Sequence, residues 1–218
     1  MRDTPVIMRD RFVVTGSGRC GTTWLSRALT RVGVPTGHEE VFNPWDSDWP
    51  DHLRGEVSWV AACKLERVTE PVALLVRHPL AVVRSLVEIG FFTWDLTNLY
   101  HEPLSEAFPE VYDWAEPENR ALEAWVQLNS AALTRAEMVL RFELVRQDPE
   151  LFARFLAWAG GNPRRAEEAL AEPPCNRHEE SRERTGQTYA PSWDRHDLDL
   201  AGRAQGLARI LGYQDEED

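Results

Sequence analysis

Residues 14–24, VTGSGRCGTTW, constrain the chain more than any other stretch, because a β-branched run enters a glycine-rich turn from which a helical pattern leaves. FVVT at 12–15 supplies a strand, and Trp24, Leu25, Ala28, Leu29 and Val32 recur on one face at helical spacing. The glycines let backbone N–H groups converge on an anion, and a helix starting near Gly21 adds the positive end of its dipole. Against the pattern G-x-x-x-x-G-K-[ST], residues 16–23 keep both glycines and the final hydroxyl, but Thr22 stands where the lysine belongs. Arg19 is in a position to return the lost charge from inside the loop. A nucleotide triphosphatase also wants an acid after a neighbouring strand to hold magnesium, whereas PVALLV at 71–76 runs into Arg77 and His78.

The remaining pattern alternates β and α. WVAAC at 59–63, ending in Lys64, and PVALLV read as buried strands, with Pro79 suited to the first turn of a new helix. Leu122, Trp125, Val126, Ala132 and Leu133 mark a long amphipathic helix that feeds a further strand candidate, EMVLRFE at 137–143. Helical patterns at 149–159 and 199–211 flank a polar segment, 179–196, that reads as a surface loop. The expectation is a single domain over 1–218, a three-layer α/β/α sandwich around a parallel sheet, with ligands at the carboxyl ends of its strands. A net charge of −12 argues against nucleic acid or an anionic membrane as the main partner. The 3 cysteines, Cys20, Cys63 and Cys175, suit neither a disulfide framework nor a zinc site. His52, His101, His178 and His196 lack metal-ligand spacing, so no metal is expected. The charged amino terminus has no signal-peptide core, and no apolar run approaches the roughly 20 residues that span a bilayer. A cytoplasmic protein with no membrane partner is predicted.

RCGTT at 19–23 resembles the 5′-phosphosulfate loop, commonly R-S-G-T-T, of the sulfotransferases that use 3′-phosphoadenosine 5′-phosphosulfate (PAPS). The absent lysine fits that family, because a sulfuryl group carries less charge than a terminal phosphoryl group and its transfer needs no metal. RHPLAVVRS is similar to the family's 3′-phosphate motif, with Arg77 and Ser85 in the arginine and serine places. RFELV at 141–145 is similar to R-Y-E-D-L, DPELFARFLAWAG to the helix after it, and GQTYAPSW and ILGY to tail segments of bacterial members. The resemblance implies a fold like that of P-loop nucleotide triphosphatases and a nucleotide site of Gly18, Arg19, Cys20, Gly21, Thr22, Thr23, Arg77 and Ser85. PAPS would be the donor and 3′-phosphoadenosine 5′-phosphate (PAP) the product. Cys20 departs from the usual serine, and a thiol at a helix amino terminus is expected to have a lowered pKa.

Transfer also requires a general base opposite the loop, and GHEEVF at 37–42 supplies His38, Glu39 and Glu40. In the carboxylate-based members the glutamate lies some twenty residues after the loop arginine and just before an aromatic, which favours Glu40, with Phe42 beyond it. Lys64 resembles a strand-end lysine of tyrosyl-protein and bacterial carbohydrate sulfotransferases, implying support of the leaving oxygen together with Arg19. Phe91, Phe92, Trp94 and Tyr100, with Trp45 and Trp49, could form an acceptor pocket or ordinary core, and Tyr189 and Trp193 could close over the nucleotide. The expected acceptor is a small molecule or carbohydrate bearing a hydroxyl or amine. A small-molecule kinase and a non-catalytic nucleotide-binding protein are the alternatives.

Overall fold

The computed structural model describes residues 10–93, 99–175 and 188–214. Five strands, β1 (Phe12–Thr15), β2 (Thr36–Gly37), β3 (Gly55–Val57), β4 (Val72–Val76) and β5 (Ala136–Arg141), form one sheet in the order β2-β3-β1-β4-β5. Every pairing is parallel. β1 is central, with Val13 opposite Glu56 on one side and Val72 on the other. The chain leaves β1 through α1 (Thr22–Arg31), builds β2 and β3 on one flank, then crosses to β4 on the other. That change of direction opens a crevice at the carboxyl end of β1.

Alternation along β4 divides the core in two. Leu74 and Val76 face a layer that includes α2 (Pro79–Glu88), α4 (Pro117–Leu133) and α8 (Leu198–Ile210). Ala73 and Leu75 face α1, α6 (Pro149–Trp158) and α7 (Ala166–Leu170). The short helices α3 (His101–Ala107) and α5 (Phe142–Val145) stand over the same end of the sheet as the crevice. The architecture is therefore the three-layer α/β/α sandwich that the β/α alternation predicts. Strands at 12–15 and 71–76, the proline-initiated helix at 79, and helices over 149–159 and 199–211 all occur within a residue or so of expectation.

One element differs. WVAAC is not a strand: β3 is Gly55–Val57, and Val60–Arg67 turns as 3₁₀ helix, kinked at Lys64. The local cause is Ser58, whose hydroxyl oxygen accepts the Val60 N–H at 3.1 Å and whose own proton goes to the Phe42 carbonyl at 2.6 Å. A five-residue apolar run cannot by itself distinguish a buried strand from a buried helical turn. Of the polar segment at 179–196, residues 179–187 lie outside the described part, as does Trp94.

Two glycines fix how the loop after β1 sits. Gly16 has φ +155°, and a Cβ there would overlap the backbone carbonyl of Leu75 in β4. Gly21 has φ +100°, and its Cβ would enter the ring of Phe142. The loop is thus pressed between β4 and the start of α5, with no room for a side chain at either point. Because the Leu75 carbonyl belongs to a ladder and cannot yield, Gly16→Ala should cost on the order of 3 kcal/mol or more. Gly202→Ala, on α8 with nothing within 4 Å, should be neutral or stabilising by up to about 1 kcal/mol. Urea denaturation of the two variants compares them directly, and equal midpoints would contradict the packing described.

Candidate functional site

At the carboxyl ends of β1 and β4 the structure holds a cavity of about 720 Å³. Its floor is the glycine-rich loop: Gly18, Arg19, Gly21, Thr22 and Thr23 all line it. The loop is shaped by Gly16 and Gly21 and by Arg19, which takes the left-handed conformation at φ 67° without being glycine. At its end α1 begins with no side-chain cap and no acidic residue in its first turn. An uncapped helix start of this kind leaves N–H donors and a positive dipole end for an anion.

Neighbouring elements hold the loop from behind. Asn129 of α4, fully buried, accepts the Ser17 N–H at 3.2 Å and donates to the Trp125 carbonyl at 2.8 Å. Trp125, one turn earlier, donates its indole N–H to the Arg77 carbonyl at 3.0 Å. Arg77, at the end of β4, reaches the Arg19 carbonyl at 3.3 Å. Arg19 in turn donates through Nε to the Ser85 hydroxyl at 2.8 Å. Ser85 is buried outside the cavity lining and touches it through Arg19. The arginine and serine of RHPLAVVRS therefore both meet the loop at Arg19, as their spacing across a strand end and the first two turns of α2 allows.

Three arginines line this end of the cavity: Arg19, Arg77 and Arg146. Arg77 and Arg146 lie over the ring of Phe142 at 5.5 Å and 5.4 Å. Burial lowers the Arg77 pKa, opposed by the Glu143 carboxylate. Glu143 also accepts the His78 N–H at 3.0 Å and the Tyr213 hydroxyl at 2.9 Å, tying the ends of β4 and β5 to the turn after α8. Sequence reasoning missed Arg146, Phe142, Trp59 and Asn129. Arg146 was findable, since it lies one turn beyond RFEL at a strand's carboxyl end. Asn129 was not, because nothing in sequence distinguishes a buried asparagine from a solvent-facing one.

The turn at 37–42 lines the opposite wall. His38 brings Nε2 to 3.0 Å from the Thr22 hydroxyl and 3.1 Å from that of Thr23. Burial lowers its pKa, with Glu39 opposing, which favours the neutral ring. Glu39 lines the cavity, has the left-handed φ of 58°, and accepts a hydrogen bond from the Tyr100 hydroxyl. The latter's pKa rises to about 12, first through burial and then through Glu39. Glu40 points away: its side chain is exposed and outside the cavity.

Lys64 is also outside it. Because Val60–Arg67 turns as 3₁₀ helix with its kink at Lys64, the ammonium group turns to Asp46 at 2.8 Å and to the Asn43 carbonyl at 3.0 Å. The Cys20 side chain is fully buried in the core under α1, and burial raises its pKa to about 12, so the expectation of an acidified thiol is corrected. Only its backbone remains available to a ligand. Phe91, Phe92 and Tyr100 line the cavity. Trp45 is 69% exposed, Trp49 packs on Phe42, and Tyr189 and Trp193 pack outside the cavity.

No protein-family model and no curated protein matches the chain. Among the described residues, no helix is long and apolar enough to cross a membrane, and no cluster of three or more His, Cys, Asp or Glu could hold a metal.

Beneath the 37–42 turn lies Glu56 of β3, with no exposed surface. Its Oε1 accepts the N–H groups of Glu40 at 2.9 Å and Val41 at 3.2 Å, while Oε2 has no partner and fills the space a Gly37 side chain would need. Desolvation outweighs those amides and raises its pKa to about 7 from an ordinary 4.5. A carboxyl whose folded pKa is raised favours the fold below the unfolded pKa, and that advantage is lost as pH climbs through the folded value. Between pH 4.5 and about 7 the protein should thus lose stability on the order of 3 kcal/mol from this group. In Glu56→Gln the loss over that window should largely vanish. Denaturant melts at pH 5 and 8 measure it, and an unchanged pH dependence in the variant would reject the assignment.

Proposed function

We propose that the protein is a sulfotransferase that moves a sulfuryl group from PAPS to a hydroxyl of a small acceptor. The observation that carries this reading is the joining of the two resembling motifs at one anion cradle: Arg77 reaches the Arg19 carbonyl, and Arg19 reaches Ser85. An uncapped α1 start, three arginines and no acid at the end of β4 suit a nucleotide with two separate anionic groups bound without magnesium.

In this reading the amides of residues 18–23 and Arg19 hold the 5′ end, while Arg77 and Arg146 face the remaining phosphate. Ser85 is a positioning residue for Arg19. The base is Glu39 rather than Glu40, because Glu39 alone of the pair borders the cavity. Its carboxylate takes the acceptor's hydroxyl proton, the acceptor oxygen forms a bond to sulfur, and the bond from sulfur to the 5′-phosphate oxygen breaks. That oxygen leaves on PAP with the electron pair, and its charge falls to the helix start and the arginines, since Lys64 is committed to Asp46. Neutral His38 holds Thr22 and Thr23, directing their hydroxyls at the turn.

PAP at about 100 times its dissociation constant should raise unfolding stability by roughly 2.7 kcal/mol. The shift should not depend on magnesium, should exceed that of AMP, and should lose this preference in Arg77→Ala. A shift seen with ATP and magnesium but not with PAP would favour a kinase and end the proposal. Once an acceptor is in hand, Glu39→Gln should lower kcat about 100-fold or more with PAP affinity retained. Glu40→Gln should stay near wild type, and the reverse order would return the base to Glu40.

A further inference from the structure

The cavity is electrically lopsided, and its second half says what the acceptor is. All three arginines stand near the glycine-rich loop and Phe142. Away from them the wall is hydrocarbon: Leu86, Ile89, Phe91, Phe92, Leu104 and Leu128. Trp59 joins the halves, its indole standing where a side chain at Gly18 would come into van der Waals contact, and 5.9 Å from Tyr100 with the rings tilted by 30°. Phe91 meets Trp59 edge-on at 6.1 Å.

The polar groups behind this wall are already used. His101 binds the Tyr112 hydroxyl at 2.6 Å through Nδ1 and the Phe91 carbonyl at 2.9 Å through Nε2, so its ring is turned inward, and it does not line the cavity. At the junction the Tyr100 hydroxyl donates a hydrogen bond to Glu39. Among the described residues, a molecule in this half therefore meets polar side chains only at its loop-facing end.

We infer that the acceptor is a neutral, ring-bearing hydrocarbon alcohol or phenol that presents a single hydroxyl to Glu39, and not a saccharide. This rests on the sulfotransferase reading for its chemistry, but on the wall alone for its shape. A sugar could lay one apolar face on Trp59 or Tyr100, yet its outer hydroxyls would face leucine, isoleucine and phenylalanine. Each hydroxyl so stranded gives up its water partners without replacement, a penalty larger than one stacked face returns. A flat hydrocarbon ring loses nothing there and replaces poorly held water against apolar surface.

The test is calorimetric titration of the full-length protein, with and without saturating PAP, using 2-naphthol and methyl β-D-glucopyranoside as probes. We expect 2-naphthol to bind PAP-loaded protein at least about tenfold more tightly than the glucoside, with a negative heat-capacity change. Phe91→Ala and Ile89→Asn should each weaken 2-naphthol binding by about tenfold while leaving PAP affinity unaltered. Ile89 is only half-buried, so its variant serves if loss of Phe91 unsettles the fold. A glucoside that binds as well as 2-naphthol, or 2-naphthol affinity indifferent to both substitutions, would overturn the inference. The two readings fail separately. Protein that ignores PAP yet binds 2-naphthol through Phe91 and Ile89 rejects the nucleotide and keeps the apolar chamber. Protein that binds PAP and not 2-naphthol does the opposite.

Discussion

The hydrogen bonds that α4 sends to two strand ends are what the rest of the site depends on. A parallel sheet finishes its strands at one edge with backbone groups that no further ladder can satisfy, and when that edge is buried each must find another partner. Asn129 supplies the Ser17 N–H and Trp125 the Arg77 carbonyl, from adjacent turns of one helix. The loop after β1 and the turn after β4 are thereby held at a fixed separation. Arg77 can then reach the loop's own carbonyl at Arg19, and Arg19 can reach Ser85. A loop built from irregular backbone is as rigid as the helix behind it.

That rigidity has an electrostatic consequence. A chain of net charge −12 concentrates three arginines in one crevice, against mutual repulsion and loss of hydration. Glu143 supports the nearest of them, while Phe142 lies under both Arg77 and Arg146. Aromatic faces favour guanidinium groups through their quadrupole and do not neutralise them. The guanidinium groups therefore keep their positive charge in the crevice. Acidic net charge is a statement about the outer surface, and it leaves the sign of one pocket undetermined.

This explains which parts of the molecule were legible in sequence. The strand, loop and helix at 12–31 were readable because glycine, β-branched and periodic apolar residues each act locally, and all agree. Arg77 and Ser85 were readable because one strand end and one helix turn fix their spacing. WVAAC was misread as strand because its conformation is decided by Ser58, which takes the Val60 N–H and reaches the Phe42 carbonyl, a partner 16 positions away. Lys64 followed that error. The neighbours Glu39 and Glu40 could not be separated, since one positive φ decides which of them turns inward, and sequence marks such a residue only when it is glycine.

The turn that carries Glu39 shows how such a conformation is maintained. A non-glycine residue in the left-handed region costs on the order of 1 kcal/mol, and Arg19 and Glu39 both adopt it at the cavity. Neither would keep that geometry if its flanks were loose. On the Glu39 side the flanks are fixed from below by two residues of one strand edge, Glu56 taking the amides of residues 40 and 41 and Ser58 taking the carbonyl of Phe42. Glu56 is buried without a cationic partner, a placement that would be eliminated if packing alone were at stake. Its contribution is to direct the chain, since leucine in its place would free two buried amides and with them the turn. The strain at Glu39 and the desolvation at Glu56 are thus one expenditure, and what it secures is a carboxylate held where the polar and apolar halves of the cavity meet.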